Sequence, residues 1–266
     1  MGNLDSLMLI ELTDKKQFKR KLTFVLTAFV VGYSFVYLQV NPISVLVAFP
    51  EIFSFLGKEF FPPNFSHIDS YVPLIIETVL FAVVGTYISA ILAFIFGLLM
   101  AEEINSLAPV RLIVRMLVSF IRNIPVLVWA SLLVYIFGIG NMVGLLALII
   151  ATFGFLARSY AEEMNHIAGS KLEALKATGA SKTQLVIHGL LPEFYPSWIN
   201  WTLFSFEINI RASAILGMVG AGGIGIMIQT NIRLFKYQEA SALIIVLVIM
   251  VLLIEFTVNR LRKIIL

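Results

Sequence analysis

Three polar residues stand out in an apolar stretch toward the C-terminus: Asn200, Glu207 and Arg211. At 100° per residue they fall within about 40° of one another on one helical stripe. Glu207 and Arg211 are four residues apart, the spacing at which a carboxylate and a guanidinium meet on a helix. A permanently charged, planar guanidinium suits contact with an oxyanion, and a neighbouring carboxylate would moderate it. The same pair would serve equally as an ion pair locking two helices, and spacing leaves both readings open. Such a stripe belongs against a bundle interior or an aqueous path.

Other chemistry has little to stand on. The histidines His67, His166 and His188 are scattered without ligand spacing, and there is no cysteine, so no catalytic residue and no metal ligand is assigned. Gly220-Ala221-Gly222-Gly223-Ile224-Gly225 satisfies G-x-G-x-x-G, but a dinucleotide fingerprint needs a preceding strand, and here an apolar helical stretch precedes it. Five glycines between Gly217 and Gly225 instead predict an irregular, tightly packed segment. At membrane depth such backbone is tolerated only when buried in protein or lining a cavity. No Walker A sequence occurs, so the chain supplies no ATPase and binds no cofactor of its own.

The elements that carry these residues follow from composition. Of 266 residues, 59% are hydrophobic and 13% charged, against roughly 45–50% and 25% in soluble domains. That excludes soluble, disordered and disulfide-scaffold classes and specifies an all-α, polytopic membrane protein. Six apolar stretches approach the roughly 20 residues needed to cross a bilayer: about Leu22–Val40, Leu74–Met100, Leu112–Phe137, Asn141–Ala157, Phe194–Gly217 and Ala240–Asn259. The first follows Lys15, Lys16, Lys19, Arg20 and Lys21 and reads as an uncleaved signal anchor, since no small-x-small cleavage site follows it. With both termini cytoplasmic, the inner segments hold those five bases with Arg111, Arg115, Arg158, Lys171, Lys176, Lys182, Arg260, Arg262 and Lys263. The outer ones hold only Lys58, Arg233 and Lys236. The basic balance is thereby explained as topology, and nucleic acid is not expected as a partner.

Within this frame Glu77 reads as a solvated or snorkelled carboxylate at an outer membrane edge, and Arg122 as a side chain reaching to cytoplasmic headgroups. The outer loop carries an apolar stretch, Ile43–Phe61, broken by Pro50, that reads as interfacial or re-entrant. Asn64-Phe65-Ser66 fits a glycosylation sequon, a triplet common by chance. Gly85, Ser89, Ala93 and Gly97 form a small-residue ladder that predicts a close helix–helix seam.

The cytoplasmic loop of about residues 158–193 is polar and structured. Ser170 with Glu173, and Ser181 with Gln184, have capping-box spacing, and Gly179 between them suits a left-handed helix end. Two short helices with a sharp turn are predicted, with Pro192 starting the next membrane helix.

This stretch resembles the E-A-A–x3–G–x9–I-x-L-P signature of permease subunits of binding-protein-dependent ABC importers, at Glu173, Ala174, Gly179, Leu191 and Pro192. Leu175 and Gly189 depart from it, which points to a subfamily. Residues 204–225 are similar to the F-E-x-N-x-R and G-M-V-G-A-G-G-I-G segments of phosphonate-importer permeases, and Arg122-Asn123-Ile124-Pro125 resembles an Arg-x-x-Pro element of several such permeases. The resemblance covers roughly residues 70–266. Residues 1–69 form an N-terminal segment with the first span and outer loop.

The resemblance implies a type I ABC importer permease fold with cytoplasmic coupling helices, in the cell's inner membrane. It implies two cytoplasmic ATPases that bind ATP and Mg, a second permease copy or paralogue, an extracytoplasmic binding protein, and contact with membrane lipid. It implies passage of a phosphonate or related phosphorus oxyanion with no chemistry on the substrate. Phosphite, phosphate and methionine remain alternative cargoes. A secondary transporter or channel is the rival class, but paired broken helices are not evident. A membrane enzyme has even less support.

Overall fold

The computed structural model describes the backbone of residues 2–102 and 104–265, with side chains described except at 2–15, 168–174 and 176. Among the described residues there are helices and no strands. Four helices are long and apolar enough to cross a membrane, and two bent pairs raise the number to six if each pair counts as one span. The chain forms two compact units, Met1–Glu59 and Phe60–Leu266.

In the first unit α1 (Gly2–Tyr37) leads through a turn at Gln39, whose φ is +53°, into α2 (Pro42–Phe55). Asn41 caps α2, its Oδ1 accepting from the Ile43 N–H at 3.0 Å, and Pro42 occupies the first turn, where its missing N–H costs nothing. The segments Lys16–Tyr37 and Pro42–Phe60 meet at 68°. Pro50 does not break α2, contrary to the expectation from sequence. In apolar surroundings a helix loses less by one missing bond than by exposing several backbone groups. Phe24, Phe29, Ile43 and Phe53 are exposed, as lipid-facing side chains should be.

The second unit is built around α3 (Ile68–Met100) and α6 (Asn141–Ala177). The small-residue ladder of α3 is their seam. A Cβ on Gly85 would lie 3.3 Å from that of Leu148, one on Gly97 3.1 Å from that of Tyr160, and Ser89 Oγ donates to the Ile149 carbonyl at 2.9 Å. Beyond the seam, Tyr160 and Phe194 meet edge to face with Met100, Leu156 and Met164 in one buried cluster.

The stretch predicted as a single third span is instead α4 (Ala108–Asn123) and α5 (Val126–Phe137), which meet at 88°. Pro125 supplies the cause. It lacks an N–H, and it forces the preceding residue out of the α region; Ile124 accordingly has φ −91° and ψ 120°. At 1.5 Å per residue neither half, about 24 Å and 18 Å, crosses a 30 Å hydrocarbon core alone.

The predicted fourth span is the start of a much longer helix. α6 runs about 55 Å, passing Ser170 without interruption, so Ser170 is not the start of a helix as its capping-box spacing suggested. After the turn at Gly179, α7 (Lys182–Gln184), a wide turn at Leu185–Leu190 and α8 (Leu191–Leu216) make one continuous helical run. Pro192 therefore sits inside the run rather than starting it. In a regular helix its ring would strike the carbonyl four residues back. The π-type turn, closed by the Leu191 N–H on the Val186 carbonyl, opens that position. A second wide turn, Gly217–Ala221, leads to α9 (Ile224–Arg233) and α10 (Tyr237–Ile265).

Candidate functional site

Glu207 and Arg211 lie one turn apart on α8 and are joined by a hydrogen-bonded ion pair through Oε1 and Nη2. Their depth follows from a neighbour. Asn209 Nδ2 donates to Thr86 Oγ1 at 2.9 Å, and Thr86 is near the middle of the 33-residue α3, so the pair is at the level of mid-span. The Glu207 side chain is 13% exposed and that of Arg211 51%. Arg211 is the one charge in an exposed stripe made by Phe204, Ile208 and Ile215 of α8 and continued by Met218 of the wide turn after it. Glu207 also faces Arg262 of α10, whose Nη2 is 3.9 Å from Oε2. Asn200, two turns from Glu207 on the same stripe, is partly exposed; the stripe does not bring it into the ion pair.

A guanidinium at mid-depth cannot face hydrocarbon without great cost. At Arg211 the exposed stripe of α8 suits water or protein better than lipid. Sequence pattern located Glu207 and Arg211 but missed Arg262, which reads as one more topological charge at the end of the last span. Its side chain points back along α10 into the span, the direction helical side chains take.

The turn between α6 and α7 has the predicted local chemistry. Gly179 has φ +79°. Ser181 Oγ accepts from the Gln184 N–H while Gln184 Oε1 accepts from the Ser181 N–H at 2.8 Å, a complete capping box. Gly179 is exposed, Leu191 half-buried and Pro192 exposed. Glu173 and Ala174 fall within α6, and their side chains lie outside the described residues. Lys182 Nζ reaches Ser106 Oγ at 2.8 Å, tying the turn to the segment between α3 and α4.

The glycine-rich segment at the other end of α8 is as tightly packed as predicted. A Cβ on Gly217 would stand 2.3 Å from the Gly222 carbonyl oxygen, and one on Gly225 1.8 Å from that of Ala214. Glu77 is not the solvated carboxylate expected from its position. Its Oε2 accepts from the Gly223 N–H at 3.1 Å and its Oε1 from Asn141 Nδ2, while Thr78 Oγ1 accepts from the Ile224 N–H at 2.9 Å. Glu77 and Thr78 thus cap α9 from another helix, satisfying donors that α9 leaves unpaired at its start. Asn209, 3% exposed, links three helices, accepting from Thr152 Oγ1 of α6 at 2.9 Å as well as donating to Thr86. Its sequence signals were a polar residue in an apolar run and its place as the Asn of the F-E-x-N-x-R segment. Arg122 is exposed in the last turn of α4, and the backbone there packs on α6, with 3.0 Å between the Arg122 nitrogen and a Cβ placed on Gly154.

This architecture is shared. Residues 93–266 match the family described as the inner membrane component of binding-protein-dependent transport systems. The chain is 31% identical to the phosphite transport system permease protein PtxC of Stutzerimonas stutzeri over 220 residues, covering 83% of this chain and 80% of that protein. It is 32% identical over 193 residues to the phosphate-import permease protein PhnE of Mycolicibacterium smegmatis, covering 73% of this chain and 36% of the relative. A solved chain of the MetNI methionine ABC transporter in an inward-facing conformation has the same fold, with a TM-score of 0.67, 24% identity, and coverage of 74% of this chain and 96% of that one. The helical bundle is that of a transport permease, and the chain belongs to the family of binding-protein-dependent transport system inner membrane components.

Proposed function

We propose that this chain is the membrane permease of an ATP-driven importer for a phosphonate or a related phosphorus oxyanion. The observation that carries the cargo reading is Arg211: a permanent positive charge, half exposed at mid-span, held on a counter-ion and surrounded by apolar side chains. Such a group attracts an oxyanion without trapping it, because Glu207 competes for the same guanidinium. The phosphite and phosphate permeases among its relatives support this class of cargo.

In this reading an extracytoplasmic binding protein delivers the anion, and a cytoplasmic ATPase binds ATP and Mg and performs the hydrolysis. The permease itself needs no cofactor. Two permeases, identical or paralogous, line the pathway, and two ATPases serve them. The exposed stripe of α8 around Arg211 supports the second permease, since lipid suits it less well than protein. The capped turn at Gly179–Gln184 docks on the ATPase, and α6, a continuous rod of about 55 Å, carries its motion to the span. Both termini are cytoplasmic, as the distribution of Lys and Arg favours.

The test uses cells that depend on this permease for phosphorus. Initial uptake of labelled methylphosphonate, phosphite, phosphate and methionine is compared in the parent and in Glu207→Gln with Arg211→Met. The parent imports at least one phosphorus oxyanion and does not import methionine. The double variant, which removes both members of the hydrogen-bonded pair together and leaves only Arg262 without its carboxylate, reaches the membrane in normal amount and imports poorly. Import of methionine alone by the parent refutes the cargo class, and parental import by the double variant refutes the role of Arg211.

A further inference from the structure

The cluster around Glu207 holds one carboxylate and two guanidinium groups. The two arginines are held differently. Arg211 is hydrogen-bonded to Glu207 Oε1 and half exposed. The Arg262 side chain is 24% exposed, and its Nη2 stands 3.9 Å from Oε2, an ion-pair separation beyond hydrogen-bond reach. Both Nε and Nη2 of Arg262 are buried and have no hydrogen-bond partner among the described residues. Its Nη1 meets Asn259 Oδ1 at 3.5 Å, a long contact. Buried donors without acceptors are costly, so a shift that closes the gap to Glu207 satisfies Arg262.

We propose that Arg262 is a positioning residue that takes over the Glu207 carboxylate when Arg211 turns to a passing phosphorus oxyanion. The proposal rests on the reading of Arg211 as the anion contact. Its physical basis is the count of paired charges. At rest Glu207 holds Arg211, and Arg262 waits at ion-pair distance. With the anion present, Arg211 holds the anion and Arg262 holds Glu207. Without Arg262, releasing Arg211 would strand a largely buried carboxylate, a heavily penalised state, and Arg211 would stay on Glu207. Arg262 thus lowers the cost of freeing Arg211 without itself touching the anion.

The experiment measures initial uptake of labelled methylphosphonate, phosphite and phosphate by cells carrying each variant, with membrane abundance of the permease followed in parallel. Arg262→Met is expected to lower the maximal rate about tenfold, the lower range for loss of one partner of a close charge pair, and Arg262→Lys to restore most of it. Adding Glu207→Gln to Arg262→Met is expected to recover part of the import, because a neutral Gln no longer holds Arg211, although no carboxylate then competes with the anion for it. A merely structural lock between α8 and α10 predicts no such recovery. Parental import by Arg262→Met, or a double variant no better than Arg262→Met, overturns the hand-over. If Arg262→Met does not accumulate, the comparison is Glu207→Gln with and without Arg262→Met. Equal import supports the proposal, since without the carboxylate Arg262 has no task, and a further loss overturns it. Arg211→Met separates the two levels. Parental import in that variant overturns the anion contact itself, whereas loss there with full import in Arg262→Met overturns only the hand-over.

Discussion

Gly222 and Gly140 show how differently two glycines in one membrane protein are constrained. Gly222 has φ +88°, and a Cβ there would stand 2.4 Å from Asn141 Oδ1 and 3.2 Å from the Phe81 ring. Asn141 cannot simply yield, because its amide donates to Glu77, which in turn holds the Gly223 N–H. Gly222→Ala therefore combines a strained backbone with a disturbed polar network, and about 1–3 kcal/mol of destabilisation is expected for the backbone alone. A Cβ on Gly140 meets nothing within 4 Å, and Gly140→Ala should leave stability almost unchanged. Thermal unfolding of the two purified variants in detergent measures the difference. Equal midpoints would mean that the Glu77 network does not hold this segment.

At the level of elements, the capped turn between α6 and α7, proposed to dock on the ATPase, offers a test of conformation without contact. A Cβ at Gly179 meets nothing within 4 Å among the described residues, but its φ is +79°, so the expected effect of substitution there is one of backbone preference. Asn tolerates that region and Val does not. Gly179→Asn is expected to keep ATPase association and transport-coupled ATP hydrolysis close to the parent. Gly179→Val, at a cost of roughly 1–2 kcal/mol or more, should lose most of both while the permease still inserts. Equal coupling in the two variants would show that the left-handed turn is not what the ATPase reads. The Ser181 box was legible because both partners lie within four residues. The Ser170 spacing misled because α6, anchored along α3 by the small-residue seam, continues past a residue that could have started a helix. Local signals propose a helix end, and packing decides whether it is used.

At the scale of the whole molecule, orientation is the property to test, and the absence of native cysteine makes single-cysteine labelling clean. Arg233 ends α9 on the side expected to be outside, and Thr178 lies in the turn between α6 and α7 expected to be inside; both are exposed. Arg233→Cys should react with an impermeant thiol reagent in intact cells. Thr178→Cys should react only after the membrane is opened. The reverse pattern would invert the topology and place the turn out of reach of any cytoplasmic ATPase.

What the amino-acid sequence determined by itself was local or compositional. A 59% hydrophobic, 13% charged chain must satisfy its backbone inside a membrane, and helices do so within their own segments. The seam on α3, the left-handed Gly179 and the crowded glycines after Gly217 depend on residue size and backbone freedom, which a sequence displays directly. The right angle at Pro125 was half visible: a proline announces a disturbance, but its 88° size depends on where α4 and α5 find partners. Only the tertiary structure assigned Glu77 to the Gly223 N–H, 146 residues away, brought Asn209 between Thr86 and Thr152, and set Arg262 beside Glu207. A buried polar group takes whichever partner packing delivers to it. That partner comes from another helix, and no periodicity along one helix can name it.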